Sequence, residues 1–145
     1  MTEFPQYAGV PILVDTSVII DVMSQDAEWR NWSERALREA AATGATVINQ
    51  IVYAEVAARF EREIELDDLL DEVGIGRDRL PWSAAFLAAQ AHQLYRRRGG
   101  DRRSTLPDFF IGAHAAVRQY RLLTRDPRRQ RTYFPTVKLI CPPST

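Results

Sequence analysis

The sequence predicts an α/β domain with a mostly parallel sheet of four to five short strands and helices on both faces. Three observations carry that expectation. Ile12-Leu13-Val14, Thr46-Val47-Ile48, Leu122-Leu123-Thr124 and Val137-Lys138-Leu139-Ile140 are short apolar or β-branched runs, the pattern of strands in a covered parallel sheet. Longer segments with helical periodicity alternate with them, as βαβ connections require. Two of the runs are closely followed by a carboxylate, Asp15 and Asp126, at the strand ends where open α/β sheets bind ligands.

Size and composition fit a single domain over residues 1–145, with 46% apolar residues and length enough for a full core. No apolar run approaches the length of a membrane span. Residues 1–9 contain Glu3 and Pro5 and lack a basic n-region, which is not the pattern of a signal peptide. Cys141 is the only cysteine, so neither an internal disulfide nor a cysteine zinc site is available. A cytoplasmic protein is the expectation, with no membrane partner. The net charge of zero hides a split: residues 1–95 carry 7 Arg against 16 acids, a balance of −9, and residues 96–145 carry 11 Arg and 1 Lys against 3 acids, a balance of +9. A basic half is read either as a solubilising surface or as a phosphate-binding rim.

In chain order, Thr16 or Ser17 is placed to cap a first helix with Val18, Ile19 and Val22 inward. Asp26 would cap a second, residues 27–43, whose face reads Trp29, Trp32, Ala36, Leu37, Ala40 and which Gly44 ends. The tryptophans belong either to the core or to a groove for a partner. Asn49 caps the helix after the second strand, expected over residues 50–61. Its lone charge among apolar neighbours is Glu55. If buried, Glu55 needs a cation or donors; otherwise the helix turns it to water. Residues 61–72 form an acidic amphipathic helix with Ile64, Leu66, Leu69, Leu70 and Val73 as its apolar positions, ended by Gly74 and Gly76. Its acids read as a solvated face rather than a metal cluster.

Residues 79–82 suggest a short edge strand closed by Pro81. Ser83 would cap a helix to about Arg98, with Ala84, Leu87, Ala88, Ala91, Leu94 and Tyr95 inward and His92 structural. Residues 96–104 form a basic loop. Pro107 followed by Asp108 starts the next helix, in whose first turn the helix dipole favours the ionised carboxylate. His114, six positions on, reads as packing. Residues 128–131 are a basic turn before the last strand.

Asp15 and Asp126 project from the same sheet edge, Asp108 from a helix start that faces it, and Glu55 from near the start of another helix. Each has a plain alternative as a capping, turn or surface residue. Together they would repel strongly, and a divalent ion removes that repulsion. Asp and Glu oxygens suit Mg²⁺ or Mn²⁺, and such an ion supports phosphate chemistry.

The segments 13–21 (LVDTSVIID), 53–56 (YAEV), 106–115 (LPDFFIGAHA), 123–127 (LTRDP) and 131–140 (RTYFPTVKLI) resemble the PIN-domain ribonucleases, and within them the VapC-type toxins of type II toxin–antitoxin pairs. The resemblance covers nearly the whole chain in the family's order. It implies a three-layer PIN-like fold and an endoribonuclease dependent on Mg²⁺ or Mn²⁺. Asp15 and Asp108 would be the main metal ligands. Glu55 and Asp126 would bind a second ion or orient waters. Thr124 would help hold the last acid, and Ser17 would support Asp15. Water made nucleophilic at the metal would attack phosphorus, leaving a 5′-phosphate and a 3′-hydroxyl. Arg97, Arg98, Arg102, Arg103, Arg125 and Arg128 are candidates for RNA-backbone contact. The resemblance also implies a homodimer and a cognate antitoxin, with Trp29 and Trp32 as groove candidates. It is departed from mildly at Asn49, where Ser or Thr is usual, and at Gly112 and His114.

A haloacid-dehalogenase phosphatase needs a second Asp where Ser17 stands, and a receiver domain needs paired acids and a late Lys that the chain lacks. A PIN-like nuclease acting on DNA shares the metal chemistry. A non-catalytic PIN-fold module binding RNA or antitoxin is the rival from another class; the presence of all four acids argues against it.

Overall fold

The computed structural model describes residues 9–25 and 27–143. The elements run β1 (Ile12–Val14), α1 (Thr16–Met23), α2 (Ala27–Thr43), β2 (Thr46–Ile48), α3 (Gln50–Ala57), α4 (Glu63–Val73), β3 (Ile75–Arg77), α5 (Trp82–Arg97), α6 (Pro107–Arg118), β4 (Arg121–Leu123), α7 (Arg128–Tyr133) and β5 (Leu139–Ile140). The strands form one sheet in the order β3-β2-β1-β4-β5, and every neighbouring pair is parallel. Leu13 stands opposite Val47 on one side and Leu122 on the other.

Ile12, Leu13 and Val14 are wholly buried. Successive strand side chains point to opposite faces, so both faces of β1 are covered, and the architecture is a three-layer α/β fold. α1 packs on α2 and α3, α3 reaches α6, and α5 lies along α6. A second apolar cluster joins Ala84, Ala88 and Ala91 of α5 to Phe109 and Ala113 of α6 and to Phe134. Gly112 makes this approach possible. A Cβ there would fall 2.1 Å from Gln130 Oε1 and 2.3 Å from a Phe134 ring carbon.

Several expectations are corrected. Asp15 itself caps α1, its carboxylate accepting from the Ser17 N–H; Thr16 and Ser17 lie within the first turn. Val22 is only half-buried. α3 ends at Ala57 rather than near residue 61. Ile64 and Val73 are exposed, and Leu66 and Leu70 form the buried seam of α4. Gly74 closes α4 in the left-handed region at φ 76, whereas Gly76 lies inside β3. The edge strand is β3, not residues 79–82, because residues 75–77 pair with β2. The residue preceding α5 is Pro81, with no side-chain cap, so Ser83 does not serve as one. Residues 128–131 belong to α7 rather than to a turn. The expected Asp26 cap and the reading of residues 1–8 lie outside the described residues. Among the described residues, no helix is long and apolar enough to cross a membrane.

Candidate active site

The strand order fixes where a site belongs. From β1 the chain moves outward through β2 and β3, then returns to β4 on the other side of β1. The reversal falls between β1 and β4, and ligands in open α/β sheets bind at that crevice beyond the strand ends. Asp15 follows β1 directly, and residues 124–126 follow β4.

These two segments are joined by hydrogen bonds. Asp15 N–H donates to Leu123 O (2.8 Å), continuing the ladder one step past the strand. Asp15 Oδ2 accepts from the Ser17 backbone N–H (3.3 Å), the Ser17 hydroxyl and the Thr124 hydroxyl (3.1 Å). Thr124 is fully buried, and its Oγ1 also accepts from Asp126 N–H (3.1 Å). One threonine thus holds the Asp15 carboxylate and the Asp126 backbone, and Ser17 holds Asp15 as well. Arg125 N–H donates to Ser17 Oγ (3.3 Å). The Asp126 side chain is exposed at the rim.

Of the two alternatives for Glu55 the structure takes exposure; Val52 and Val56 form the buried side of α3. Glu55 nevertheless belongs to this edge. Its Oε1 accepts from the hydroxyl of Thr16 (2.7 Å), the neighbour of Asp15. Asp108 is held separately: its Oδ2 accepts from the Thr105 N–H (2.6 Å) and hydroxyl (3.2 Å). No hydrogen bond among the described residues links Asp108 to the other three. Among the described residues, no three His, Cys, Asp or Glu side chains stand together closely enough to hold an ion. The four acids therefore do not form a ready-made cage.

The partners of these acids share one property. Each anchored carboxylate among the four is met by hydroxyls or backbone N–H groups. Among the described residues none has an Arg, Lys or His within salt-bridge distance, although five other acids do: Glu34–Arg30 (3.0 Å), Asp67–Arg77 (2.7 Å), Asp101–Arg103 (2.8 Å), Asp78–His114 (2.9 Å) and Asp21–Arg125 (2.7 Å). Neutral donors orient a carboxylate without cancelling its charge. The donor set is all oxygen, as Mg²⁺ or Mn²⁺ prefers, and Mg²⁺ usually takes one or two carboxylates and keeps several waters. These residues fit such an ion.

The remaining candidates separate. Arg125 is tied to buried Asp21, which Ser33 also holds (2.7 Å), and its guanidinium lies 5.6 Å from the Trp29 ring centroid. It pins the loop that carries Thr124 and Asp126. Trp32 packs against the main core. Arg98 lies over Tyr133, 6.0 Å from the ring centroid, and Arg103 pairs with Asp101. Arg97, Arg102 and Arg128 are exposed. His114 does pack, wholly buried, but it is also bonded: Asn49 Nδ2 lies 3.1 Å from its Nδ1 and Asp78 Oδ2 lies 2.9 Å from its Nε2.

Three supporting residues escaped the sequence reading: Thr16, Asp21 and Thr105. Thr105 had a signal, because Thr105-Leu106-Pro107-Asp108 is a capping-box pattern in which the acid reaches back to the Thr backbone. Thr16 and Asp21 had none, since both depend on tertiary contacts.

The family model described as PIN domain matches residues 12–135. No curated protein matches the chain. Among solved structures, the chain is similar to VapBC2 from Rickettsia felis bound to a promoter DNA fragment, with TM-score 0.68 and 15% identity, covering 90% of this chain and 98% of that one. It is similar to VapBC-1 from nontypeable Haemophilus influenzae, with TM-score 0.67 and 14% identity over 90% and 97%. A toxin–antitoxin complex from Klebsiella pneumoniae gives TM-score 0.62 and 23% identity over 87% and 94%. At these identities the structures speak for the fold.

Proposed function

The chain belongs to the PIN domain family, whose members are generally nucleases, and from that premise we propose that it is a metal-dependent endoribonuclease acting as the toxin of a toxin–antitoxin pair. The observation that carries the reading is the set of carboxylates at the β1–β4 crevice, oriented by Ser17, Thr16 and Thr124 and left without a cationic partner among the described residues. Asp15 and Asp108 would be the main ligands for Mg²⁺ or Mn²⁺, and Glu55 and Asp126 would bind a second ion or orient its waters. When bound, the ion supplies charge for the phosphate in flight and makes a water acidic enough to serve as nucleophile. Thr124 and Ser17 keep Asp15 in one orientation, so little reorganisation remains for the reaction to demand. Arg125, through Asp21, keeps the Thr124–Asp126 loop seated.

The toxin reading and an antitoxin partner are supported by structural neighbours that are VapBC or toxin–antitoxin complexes. The half-buried Trp29 on α2 is the groove residue to test for that partner, and the chain is expected to act as a homodimer. One observation favours a second reading, a silent binding module: among the described residues no three acids stand close enough to hold an ion.

The test is cleavage of a mixed RNA pool by the purified protein, with Mg²⁺ or Mn²⁺ and with chelator. Asp15→Asn is run alongside, its fold checked by circular dichroism. Cutting that needs the metal and disappears in Asp15→Asn supports the reading; cutting that survives the substitution sinks it. Matched single-stranded DNA in the same assay decides between RNA and DNA as substrate.

A further inference from the structure

The run of arginines between α5 and α6 looks uniform in sequence, but the fold sorts it. Arg103 is taken by Asp101, through Nε (2.8 Å) and the backbone N–H (2.9 Å), and Tyr95 OH also donates to that carboxylate (3.0 Å). Those donors hold the Asp101 carboxyl below its ordinary range, the Arg103 backbone N–H foremost. Arg98 lies over Tyr133. Arg96 and Arg102 are exposed, and among the described residues neither guanidinium makes a hydrogen bond or ion pair. Both line a cavity of about 500 Å³ together with His92, Ser104, Thr105, Leu106 and Asp101, whose carboxylate is the one already bonded to Arg103 and Tyr95. That volume lies within the roughly 300–1,000 Å³ of small-ligand sites. The His92 ring is fixed against Tyr95 (6.4 Å between centroids, 19° between planes) and Phe109 (5.4 Å). Unpaired positive charge in a concavity beside a fixed ring is what a nucleotide requires: cations for the phosphate and a flat surface for the base.

We propose that this cavity is a nucleotide subsite for single-stranded RNA, in which Arg96 and Arg102 take a backbone phosphate and a base rests against His92 and Leu106. The proposal rests on the ribonuclease reading above. It also links the subsite to the acids. Thr105 is a wall of the cavity and the residue whose N–H and hydroxyl anchor Asp108.

The experiment uses the full chain carrying Asp15→Asn, which is expected to leave RNA uncut, and a labelled mixed-sequence single-stranded RNA of about ten nucleotides. Binding is followed by fluorescence anisotropy across a salt series. Each phosphate contact on a single strand contributes about 0.7 to the slope of log affinity against log salt. Arg96→Gln with Arg102→Gln is expected to weaken binding and flatten that slope by about 0.7, while Lys at both positions keeps the slope. His92→Ala is expected to lower affinity about five-fold or more with the slope unchanged. Arg35→Gln with Arg38→Gln on α2 removes the same charge elsewhere and leaves the slope as it was. If the parent binds RNA and the Arg96/Arg102 variant keeps its affinity and slope, or the α2 pair flattens the slope equally, the subsite is refuted. If the parent binds no RNA, the ribonuclease reading fails, and the subsite with it.

Discussion

At the carboxyl ends of β2 and β3, a cavity of about 580 Å³ is walled by Tyr53, Asp67, Arg77 and Asp78 among others. Asp67 accepts from Arg77 and from the Tyr53 hydroxyl, both at 2.7 Å, and Arg77 lies over the Tyr53 ring. The Asp67 carboxylate in turn raises the Tyr53 pKa above its ordinary 10.0. Asp78 meets His114. At the ends of β1 and β4, Asp15 and Glu55 meet only hydroxyls and a backbone N–H, and Asp126 is exposed. Both regions are acidic and lie on the same edge of one sheet. In the first, the chain supplies its own cation, Arg77, to Asp67 and an imidazole ring, that of His114, to Asp78. In the second, in a protein with 18 arginines, it does not. The difference separates acids that hold the fold together from acids left open to an external cation.

The comparison can be broken in order of expected effect. Thr124→Val removes the hydroxyl shared by Asp15 and Asp126 at nearly constant volume. Loss of such an orienting partner typically costs about 10- to 100-fold in metal affinity or activity, so cleavage is expected to fall by that amount while the fold persists. Cleavage within two-fold of the parent would mean that the hydroxyl orients nothing that matters.

Asp21→Asn strips Arg125 of its buried partner. A charge-assisted hydrogen bond of this kind contributes roughly 1.5–3 kcal/mol, so urea unfolding should show a loss of about 2 kcal/mol. Cleavage should also fall as the Thr124–Asp126 loop loosens. A stability loss with unchanged cleavage would reduce Asp21 to a scaffold residue.

His114 sharpens the contrast from the other side. Burial pushes its pKa below the ordinary 6.5, outweighing the hydrogen bond and charge of Asp78, which pull it up; Arg118 adds to the lowering. With the folded-state value depressed, the unfolded chain takes up the proton first as pH falls. The contribution is therefore complete above about 6.5 and is lost below it, at no more than ~1.4 kcal/mol per pH unit. Unfolding free energies at pH 7.5 and 5.5 should show that slope, and His114→Gln should be flatter. Equal slopes in both would place the titration elsewhere.

Asp67→Asn should do least. The Asp67–Arg77 pair is partly exposed, and such pairs contribute about 0–1 kcal/mol. Cleavage should not change. A large loss of cleavage would erase the distinction between the two regions.

Much of this frame was legible in the residues. β1 and β2 are apolar runs buried on both faces, and Asn49 caps α3 as expected, its Oδ1 accepting from Ile51 and Val52 N–H (3.0 Å each). The acids at the β1–β4 edge were readable because a strand end fixes where its last side chain goes. β3 was not, because Ile75-Gly76-Arg77 has one apolar side chain and is a strand through its backbone pairing with β2. The exposure of Glu55 was not decidable, because its neighbours Ala54 and Ala58 count as apolar yet face water. The sorting of the arginines was illegible for a related reason. Whether Arg125 meets RNA or Asp21 depends on side chains about a hundred residues apart in the chain.

The most direct measurement is Mn²⁺ binding by the protein itself, by calorimetry with the metal alone, for the parent, Asp15→Asn and Asp67→Asn. The account predicts saturable binding that Asp15→Asn abolishes and Asp67→Asn leaves intact. Binding that survives Asp15→Asn, or is lost in Asp67→Asn, would contradict it.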